Sequence, residues 1–209
     1  MTIILHHCHE ARSMRSLWLL NELGIDFELV VHPFTELRSE QYLKVHPLGR
    51  VPALQLDELT LFESGAICQY LCEKFSLNTL GRDTNHPERP QWLQWLHFSE
   101  TMAVHGASLV QQNIVLQDKS LRSPVIEKLE TRRLEKSLEV INDQLTDHDY
   151  LLASGFSAVD IAVGYSIHLA QHFIDLSDYH NVELYYQRLS QRDAFKQSMP
   201  SADDNLKIF

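Results

Sequence analysis

Two pairs of adjacent residues, Val51-Pro52 and Glu63-Ser64, have backbone and side-chain chemistry suited to holding a small peptide. A peptide bond before proline can be cis, which is rare before other residues. A cis bond here would present the N–H and C=O of Val51 to an extended ligand, which would pair with them as an added strand does. Ser64 begins a predicted helix, whose N-terminus favours a carboxylate, and Glu63 can hold an ammonium group. Together the two pairs predict a site for a small zwitterionic peptide.

The elements that position these residues are short and follow one another closely. Strands are predicted at residues 53–56 and 60–62, joined by a turn at Asp57-Glu58. A helix follows, with an apolar stripe formed by Ile67, Tyr70, Leu71 and Phe75. In the alternative interpretation, this is only a β-hairpin that leads into a helix, and the glutamate and serine serve as N-terminal capping residues.

In kind, order and spacing, the segment resembles the glutathione-binding half of the glutathione transferase superfamily. The resemblance implies that the valine–proline pair holds the cysteinyl backbone of glutathione and that the glutamate–serine pair holds its γ-glutamyl end. Arg50 stands where the family often has a basic residue near the glycine carboxylate. Arg38 and Lys44 are further candidates for that carboxylate, or alternatively solvated surface charges.

The elements before this segment complete a βαβ, α, ββα order. A strand is predicted at residues 2–6, a leucine-rich helix at 13–23 that ends at Gly24, an alternating strand at 26–31 and a short helix near 39–45. In the superfamily this order is a thioredoxin-like α/β domain with a mixed sheet. We therefore expect that fold here.

A second, all-helical domain is expected after this one. The polar, turn-rich residues 78–88 predict a linker between a glutathione-binding domain at 1–77 and a helical domain at 89–209. Ser157 and Asp160 predict a capping box at the start of a helix, which by resemblance lies at the buried centre of the second domain. Because loss of a cap costs only ~1 kcal/mol of stability, Asp160 is interpreted as a folding residue and not as a catalytic acid.

Glutathione chemistry would require the protein to convert a thiol into a thiolate. A free thiol has a pKa near ~8.5, and lowering it by two units needs roughly 2.7 kcal/mol of preferential stabilisation of the thiolate. By resemblance, the responsible group lies in residues 7–15, where Ala11 stands about where serine-type classes place their hydroxyl. Three alternatives follow. Ser13 supplies the hydroxyl, Arg12 and helix N–H groups act without one, or transferase activity is weak.

Cys8 lies in the same segment, beside His6, His7 and His9. A thiol is activated near a helix N-terminus or a cation, which would suit a thiol reductase. The simpler interpretation is a loop cysteine, because no Cys-x-x-Cys motif accompanies it. The histidines and Cys8 also look like zinc ligands, yet adjacent strand residues point to opposite faces. We therefore predict no metal site.

A pocket for the second substrate is predicted on the first long helix of the helical domain. Met102, His105, Leu109 and Asn113 recur on roughly one face of this helix, and we assign the first three to the pocket. Apolar pockets select their ligands by shape, so the electrophile itself is not specified. In the alternative, these residues serve core packing and a dimer contact, which suits Met102 and Leu109 better.

The composition narrows the class of protein. The chain has 209 residues, of which 44% are apolar and 22% charged, as is typical of soluble globular proteins. A net charge of −10 argues against a nucleic-acid partner bound through its phosphates. Three cysteines without a regular framework indicate a reducing compartment, and no stretch resembles a signal peptide or a membrane span. We expect a cytoplasmic protein without a membrane partner.

The sequence therefore predicts a glutathione transferase-like enzyme that joins the glutathione thiolate to small apolar electrophiles, with glutathione as co-substrate. The resemblance further implies a homodimer and a role in detoxification or stress response. One alternative is a glutathione-dependent peroxidase, isomerase or thiol reductase on the same fold. Another is a non-enzymatic interaction protein, because a fold alone does not determine function.

Overall fold

The strands and helices near the N-terminus follow the βαβ, α, ββα order predicted from the sequence. The computed structural model describes residues 1–201. The first elements are β1 Ile3–His7, α1 Ser13–Leu23, β2 Glu28–Val31, a 3-10 turn Phe34–Arg38, α2 Glu40–Leu43, β3 Ala53–Leu56, β4 Leu59–Phe62 and α3 Ser64–Phe75. The later elements are α4 Arg89–Val110, a π-helical turn Gln111–Val115, a 3-10 turn Lys119–Leu121, α5 Pro124–Gln144, α6 Ala158–Ala170, a 3-10 turn Leu176–Asp178, α7 His180–Ser190 and α8 Asp193–Gln197.

The described chain separates into two units. Residues 1–81 and 192–201 belong to the first, and residues 82–191 to the second. The division falls within the linker that the sequence predicts at 78–88, and the exact domain boundaries stay a prediction. Within residues 1–201, no helix combines the length and the apolar character needed to cross a bilayer.

A mixed four-stranded sheet forms the centre of the first unit, in the order β2-β1-β3-β4. Strand β1 runs parallel to β2 and antiparallel to β3, and β4 pairs antiparallel with β3. Leu5 of β1 lies between Leu29 and Leu54 of the neighbouring strands. Leu5 and Leu54 have no solvent exposure, whereas Leu29 on the edge strand is exposed, so the apolar centre of the sheet lies between β1 and β3. The predicted α/β thioredoxin-like fold is confirmed.

Helix α8 returns the chain to the first unit, where it packs on α1. The guanidinium group of Arg192 donates to both carboxylate oxygens of Glu22, at 2.6 and 2.8 Å. The rings of Trp18 and Phe195 meet edge to face, with centroids 4.9 Å apart. Asn21 donates to the hydroxyl of Ser198 at 3.0 Å. Trp18 is fully buried, and Phe195 of α8 is one of the side chains that cover it.

The second unit is helical and is built around α6. Each of the 13 residues of α6 is buried, and this helix packs against α4 and α7. Gly106 of α4 permits a close approach, because a Cβ atom at this position would lie 2.8 Å from the side chain of Leu169. Helix α4 also packs against α5. The predicted helical second part of the chain is confirmed.

The predicted capping box at the start of α6 is present. The backbone N–H of Ser157 donates to the carboxylate of Asp160 at 2.8 Å, as the box requires. Asp160 also accepts from the N–H of Leu151 at 3.0 Å and from the hydroxyl of Tyr185 at 2.8 Å. Complete burial raises the pKa of this carboxyl to about 6, against the opposing effect of these hydrogen bonds. Asp160 therefore joins three segments of the second unit as well as capping a helix.

Candidate functional site

The Val51–Pro52 peptide bond is cis and lies immediately before β3. Val51 is buried in a small apolar cluster with Cys8, Leu37 and Tyr42, against which Ala11 and Val45 pack. The cluster joins the loop after β1 to the segment before β3, although the two are about 40 residues apart in the chain. The structure thus brings together the two segments to which the sequence assigns thiol activation and peptide binding.

The start of α3 is held in place from within the first unit. Ser64 is buried, and its Oγ accepts a hydrogen bond from Nη1 of the fully buried Arg15 at 3.1 Å. The first N–H groups of a helix have no partner within the helix, and they attract anions. Gly65 leaves open space at this end, because a Cβ atom there would meet nothing within 4 Å. This helix start has the shape and polarity to receive a carboxylate.

Glu63 has an unusual backbone conformation, with φ of 76°. Such a conformation costs a non-glycine residue of order 1–3 kcal/mol, and it is found preferentially at functional sites. Its carbonyl accepts from the N–H of Ile67 at 2.9 Å, but its side chain makes no cap hydrogen bond and is exposed. The capping alternative therefore does not describe Glu63, whose carboxylate faces solvent beside the start of α3.

His46 is a member of this region that the sequence did not indicate. It is buried, and its ring lies 4.9 Å from that of Phe62. Burial lowers the pKa of His46, Glu63 opposes this effect, and the positive charge of Arg50 adds to it. Arg50 and Glu63 therefore both lie near the His46 imidazole, and their opposite charges shift its pKa in opposite directions. The turn that joins His46 to Arg50 requires glycine at position 49, where φ is 58° and a Cβ atom would lie 2.4 Å from the carbonyl oxygen of Leu37.

Ser13, the predicted hydroxyl donor, is fully buried at the start of α1. Its Oγ lies 2.8 Å from Nδ1 of His7, accepts from the N–H of Cys8 at 3.2 Å and lies at donating distance, 3.2 Å, from the carbonyl of the same residue. These bonds close the loop between β1 and α1. Arg12, by contrast, is half-buried and directly precedes α1. The geometry gives Ser13 a loop-anchoring contact and leaves Arg12 as the partly exposed cation of this loop.

Cys8 does not have the surroundings of a reactive thiol. It is 2% exposed, and burial raises its pKa to about 12. Nucleophilic cysteines have a lowered pKa and some exposure. Cys8 therefore acts as a small apolar side chain of the cluster around Val51.

The histidines next to Cys8 turn to different partners. His6 Nδ1 lies 2.9 Å from Nε2 of His32, and His7 Nδ1 lies 2.8 Å from the Ser13 hydroxyl. The ring of His9 meets that of His7 edge to face at 5.1 Å. His6 and His7 thus diverge as adjacent strand residues should, whereas His9, which follows β1, lies against His7.

The residues predicted for the second-substrate pocket lie within the second unit. Met102 and Leu109 are each 1% exposed and belong to the core. Nδ1 of His105 donates to the carboxylate of Glu130 at 2.6 Å, and this bond joins α4 to α5. The side chain of His105 retains 17% of its exposure. Of the three residues, His105 is thus the one with appreciable surface, while the assignment of the pocket stays a prediction.

Arg15 and Tyr42 are further residues that the sequence analysis missed. Arg15 offered a weak signal, because it is the charged residue in a segment of apolar residues and serines, Ser13–Leu20. The structure buries this whole segment of α1. Such a charge is seldom buried without a partner. Tyr42 offered no local signal, because its partner Arg50 is reached only through an irregular segment.

A mixed thioredoxin-like sheet followed by a helical unit is the architecture of the glutathione transferases. Residues 1–73 match the family model described as "Glutathione S-transferase, N-terminal domain". The chain is 32% identical over 198 residues to "Glutathione S-transferase F13" of Arabidopsis thaliana, covering 89% of each protein. The chain belongs to the glutathione S-transferase family and is an enzyme of that family.

Two further comparisons extend over nearly the whole chain. "Glutathione S-transferase 3" of Schizosaccharomyces pombe is 26% identical over 215 residues, with 97% of this chain and 89% of the relative covered. The solved structure described as "Ternary complex of BphK, a bacterial GST" has a TM-score of 0.83 at 27% identity, covering 94% of this chain and 97% of that one. The likeness therefore includes the helical unit as well as the sheet.

Proposed function

We propose that the protein binds glutathione and joins its thiolate to small apolar electrophiles. The observation that carries this proposal is the packing of the loop after β1 against the Val51–Pro52 segment. It brings the residues with thiol-activating potential next to the residues with peptide-binding potential. Relatives are named as glutathione S-transferases.

Each end of glutathione would have a complementary partner in the first unit. The γ-glutamyl ammonium would pair with the exposed carboxylate of Glu63, and the neighbouring carboxylate would bind Ser64 and the first N–H groups of α3. The cysteinyl backbone would pair with that of Val51, next to Pro52. Arg50, which is exposed, would bind the glycine carboxylate.

The thiolate would be stabilised by Arg12 and the N-terminus of α1. Both supply positive potential in the loop that packs on Val51, and stabilisation of the anion lowers a thiol pKa. The proton leaves to water, and the thiolate sulfur then forms the new bond to the electrophilic carbon. Where that carbon bears a leaving group, the group departs with its bonding electrons. Ser13 would hold the loop through its bonds to His7 and Cys8.

The electrophile is proposed to bind the helical unit near His105, with Met102 and Leu109 supporting that part of α4 from the core. The remaining family expectations are proposed with it, namely a cytoplasmic homodimer that acts in detoxification or stress response. Cys8, Cys68 and Cys72 are all free, which is in keeping with a reducing compartment. The thiol-reductase alternative is disfavoured because burial keeps the Cys8 thiol neutral.

Calorimetric titration with glutathione tests the binding step, using the wild type, Ser64→Ala and the exposed control Ser120→Ala. We expect micromolar-to-millimolar binding that Ser64→Ala weakens by about 1 kcal/mol, or roughly fivefold, while Ser120→Ala has no effect. Absence of binding up to several millimolar in the wild type would contradict the proposal and favour an interaction protein.

Turnover then separates the transferase from the alternative chemistries. The wild type is assayed with glutathione and an aromatic halide, and in parallel with an organic hydroperoxide. Conjugation of the halide supports the proposal. Turnover of the hydroperoxide alone would assign the protein to the peroxidase alternative.

A further inference from the structure

Three aromatic side chains, His6, His32 and Tyr42, form a cluster behind the Val51–Pro52 segment. The rings of His6 and His32 stack with centroids 5.2 Å apart. Tyr42 meets both edge to face, at 4.7 Å from His32 and 5.8 Å from His6. His6 Nδ1 and His32 Nε2 are also hydrogen-bonded at 2.9 Å. The ring of Tyr42 is therefore held by residues from β1 and from the chain just after β2.

The hydroxyl of Tyr42 extends from this cluster to the peptide-binding segment. It donates to the carbonyl oxygen of Arg50 at 2.7 Å. Tyr42 is 4% exposed, and burial raises the pKa of its hydroxyl, so the group is a proton donor throughout the physiological range. Tyr42 and Val51 also belong to the same buried apolar cluster. Tyr42 is thus bonded to Arg50 and shares a cluster with Val51, the two residues that precede Pro52.

The segment that Tyr42 reaches has little regular structure of its own. Helix α2 has only four residues, which is too short for a helix to be stable without tertiary contacts. Ser39 caps it by accepting from the N–H of Tyr42 at 3.2 Å. Between α2 and β3 the chain forms turns. A side-chain bond to the Arg50 carbonyl is therefore well placed to determine where the backbone of Val51 lies.

We propose that Tyr42 is a positioning residue for glutathione, whose hydroxyl holds the Arg50 carbonyl so that the backbone of Val51 is oriented to pair with the ligand. The effect on the ligand rests on the proposed function, but the effect on the segment does not. The His6–His32 pair supports this role by holding the tyrosine ring. Tyr42 itself touches no reacting atom, so it acts through the segment and not on the thiol.

Tyr42→Phe tests the proposal because it keeps the ring and removes only the hydroxyl. The matched control is Tyr70→Phe, whose hydroxyl accepts from Lys74 on the surface of α3 at 3.3 Å. In Tyr42→Phe we expect the dissociation constant and the KM for glutathione to rise about fivefold, as for loss of one neutral hydrogen bond. The KM for the electrophile should stay unchanged. Tyr70→Phe should match the wild type in both.

Amide hydrogen exchange without glutathione gives an independent measurement. Peptides covering residues 43–56 should exchange faster in Tyr42→Phe than in the wild type or Tyr70→Phe, while peptides from α1 should not change. Unchanged exchange in residues 43–56 would overturn the proposal, whatever the affinity for glutathione. If the wild type binds glutathione and Tyr42→Phe binds it with the same affinity, the proposal is overturned as well. Failure of the wild type to bind glutathione would instead contradict the proposed function, and the exchange experiment would still decide whether Tyr42 holds the segment.

Discussion

Arg15 Nη1 donates to Ser64 Oγ at 3.1 Å, and both side chains are buried. This contact joins the first turn of α1 to the first turn of α3, across 49 residues of sequence. It places a fixed positive charge behind the helix start to which we assign the γ-glutamyl carboxylate. A cation in this position and the N-terminus of α3 attract the same anion.

Replacing Arg15 with methionine should therefore weaken the fold and the ligand site together. Loss of a charge-assisted hydrogen bond and of the buried cation should lower the free energy of unfolding by about 2 kcal/mol. Glutathione affinity should fall as well. Urea unfolding and calorimetry measure the two effects, with the exposed Arg132→Met as control. Full glutathione affinity in Arg15→Met would show that the cation does not contribute to the site.

Variants of Ser13 and Arg12 should separate loop anchoring from thiol activation. Because the Ser13 hydroxyl is engaged with His7 and Cys8, Ser13→Ala should lower stability by about 1 kcal/mol and leave the pKa of bound glutathione unchanged. Arg12→Gln should raise that pKa by removing a nearby cation. The thiolate absorbance of the bound ligand, followed against pH, measures both. A raised thiol pKa in Ser13→Ala would assign the hydroxyl to catalysis instead.

His32 should make the folded state less stable in acid. Burial and the neighbouring His6 lower the pKa of His32, while Glu36 opposes them. A histidine with a lowered folded pKa binds protons more readily when unfolded, so its full contribution is present above its unfolded pKa of about 6.5 and is lost as pH falls below it. Urea unfolding at pH 7.5 and 5.5 should show this loss.

The matching variants are His32→Gln and, as an exposed control, His148→Gln. The first should reduce the loss of stability between the two pH values, and the second should leave it unchanged. Burial also lowers the pKa of His46, so the stability of His32→Gln should still fall somewhat in acid. An identical pH dependence in His32→Gln and the wild type would contradict the prediction.

Asp160→Ala should be more damaging than loss of an ordinary cap. The change leaves buried donors from Leu151, Ser157 and Tyr185 without their acceptor, which should cost about 3 kcal/mol of unfolding free energy. Asp118→Ala is the comparison, because Asp118 caps an exposed 3-10 turn at Lys119–Leu121. Chemical denaturation of both variants measures the difference. Equal small losses would show that Asp160 contributes only a cap.

Cys8 should react slowly with thiol reagents in the folded protein. It is almost completely buried and its pKa is raised to about 12, and Cys68 and Cys72 have no exposure. At pH 7.5 we expect little labelling until urea unfolds the chain, when all three thiols react. Cys8→Ser should keep the transferase activity. Rapid labelling of Cys8 in the native state would revive the reductase alternative.

The sequence by itself determined the local elements of this protein and their order. The helix α1 Ser13–Leu23 and strand β3 Ala53–Leu56 occupy the residues predicted for them, because periodicity and turn residues act over a few positions. The capping box of Ser157 and Asp160 is equally local, since its partners are three residues apart. Val51-Pro52 and Glu63-Ser64 were recognisable because each pair is contiguous.

Tertiary structure alone decided which side chains meet. The contact of Arg15 with Ser64 depends on how two helices pack on one sheet, and no spacing in the chain encodes it. Packing likewise turned the Ser13 hydroxyl inward and paired His105 with Glu130. It also returned Arg192 to Glu22, 170 residues earlier in the chain. The type of a side chain determines which hydrogen bonds it can make. Its direction and burial determine which of them it does make, and these are properties of the folded protein.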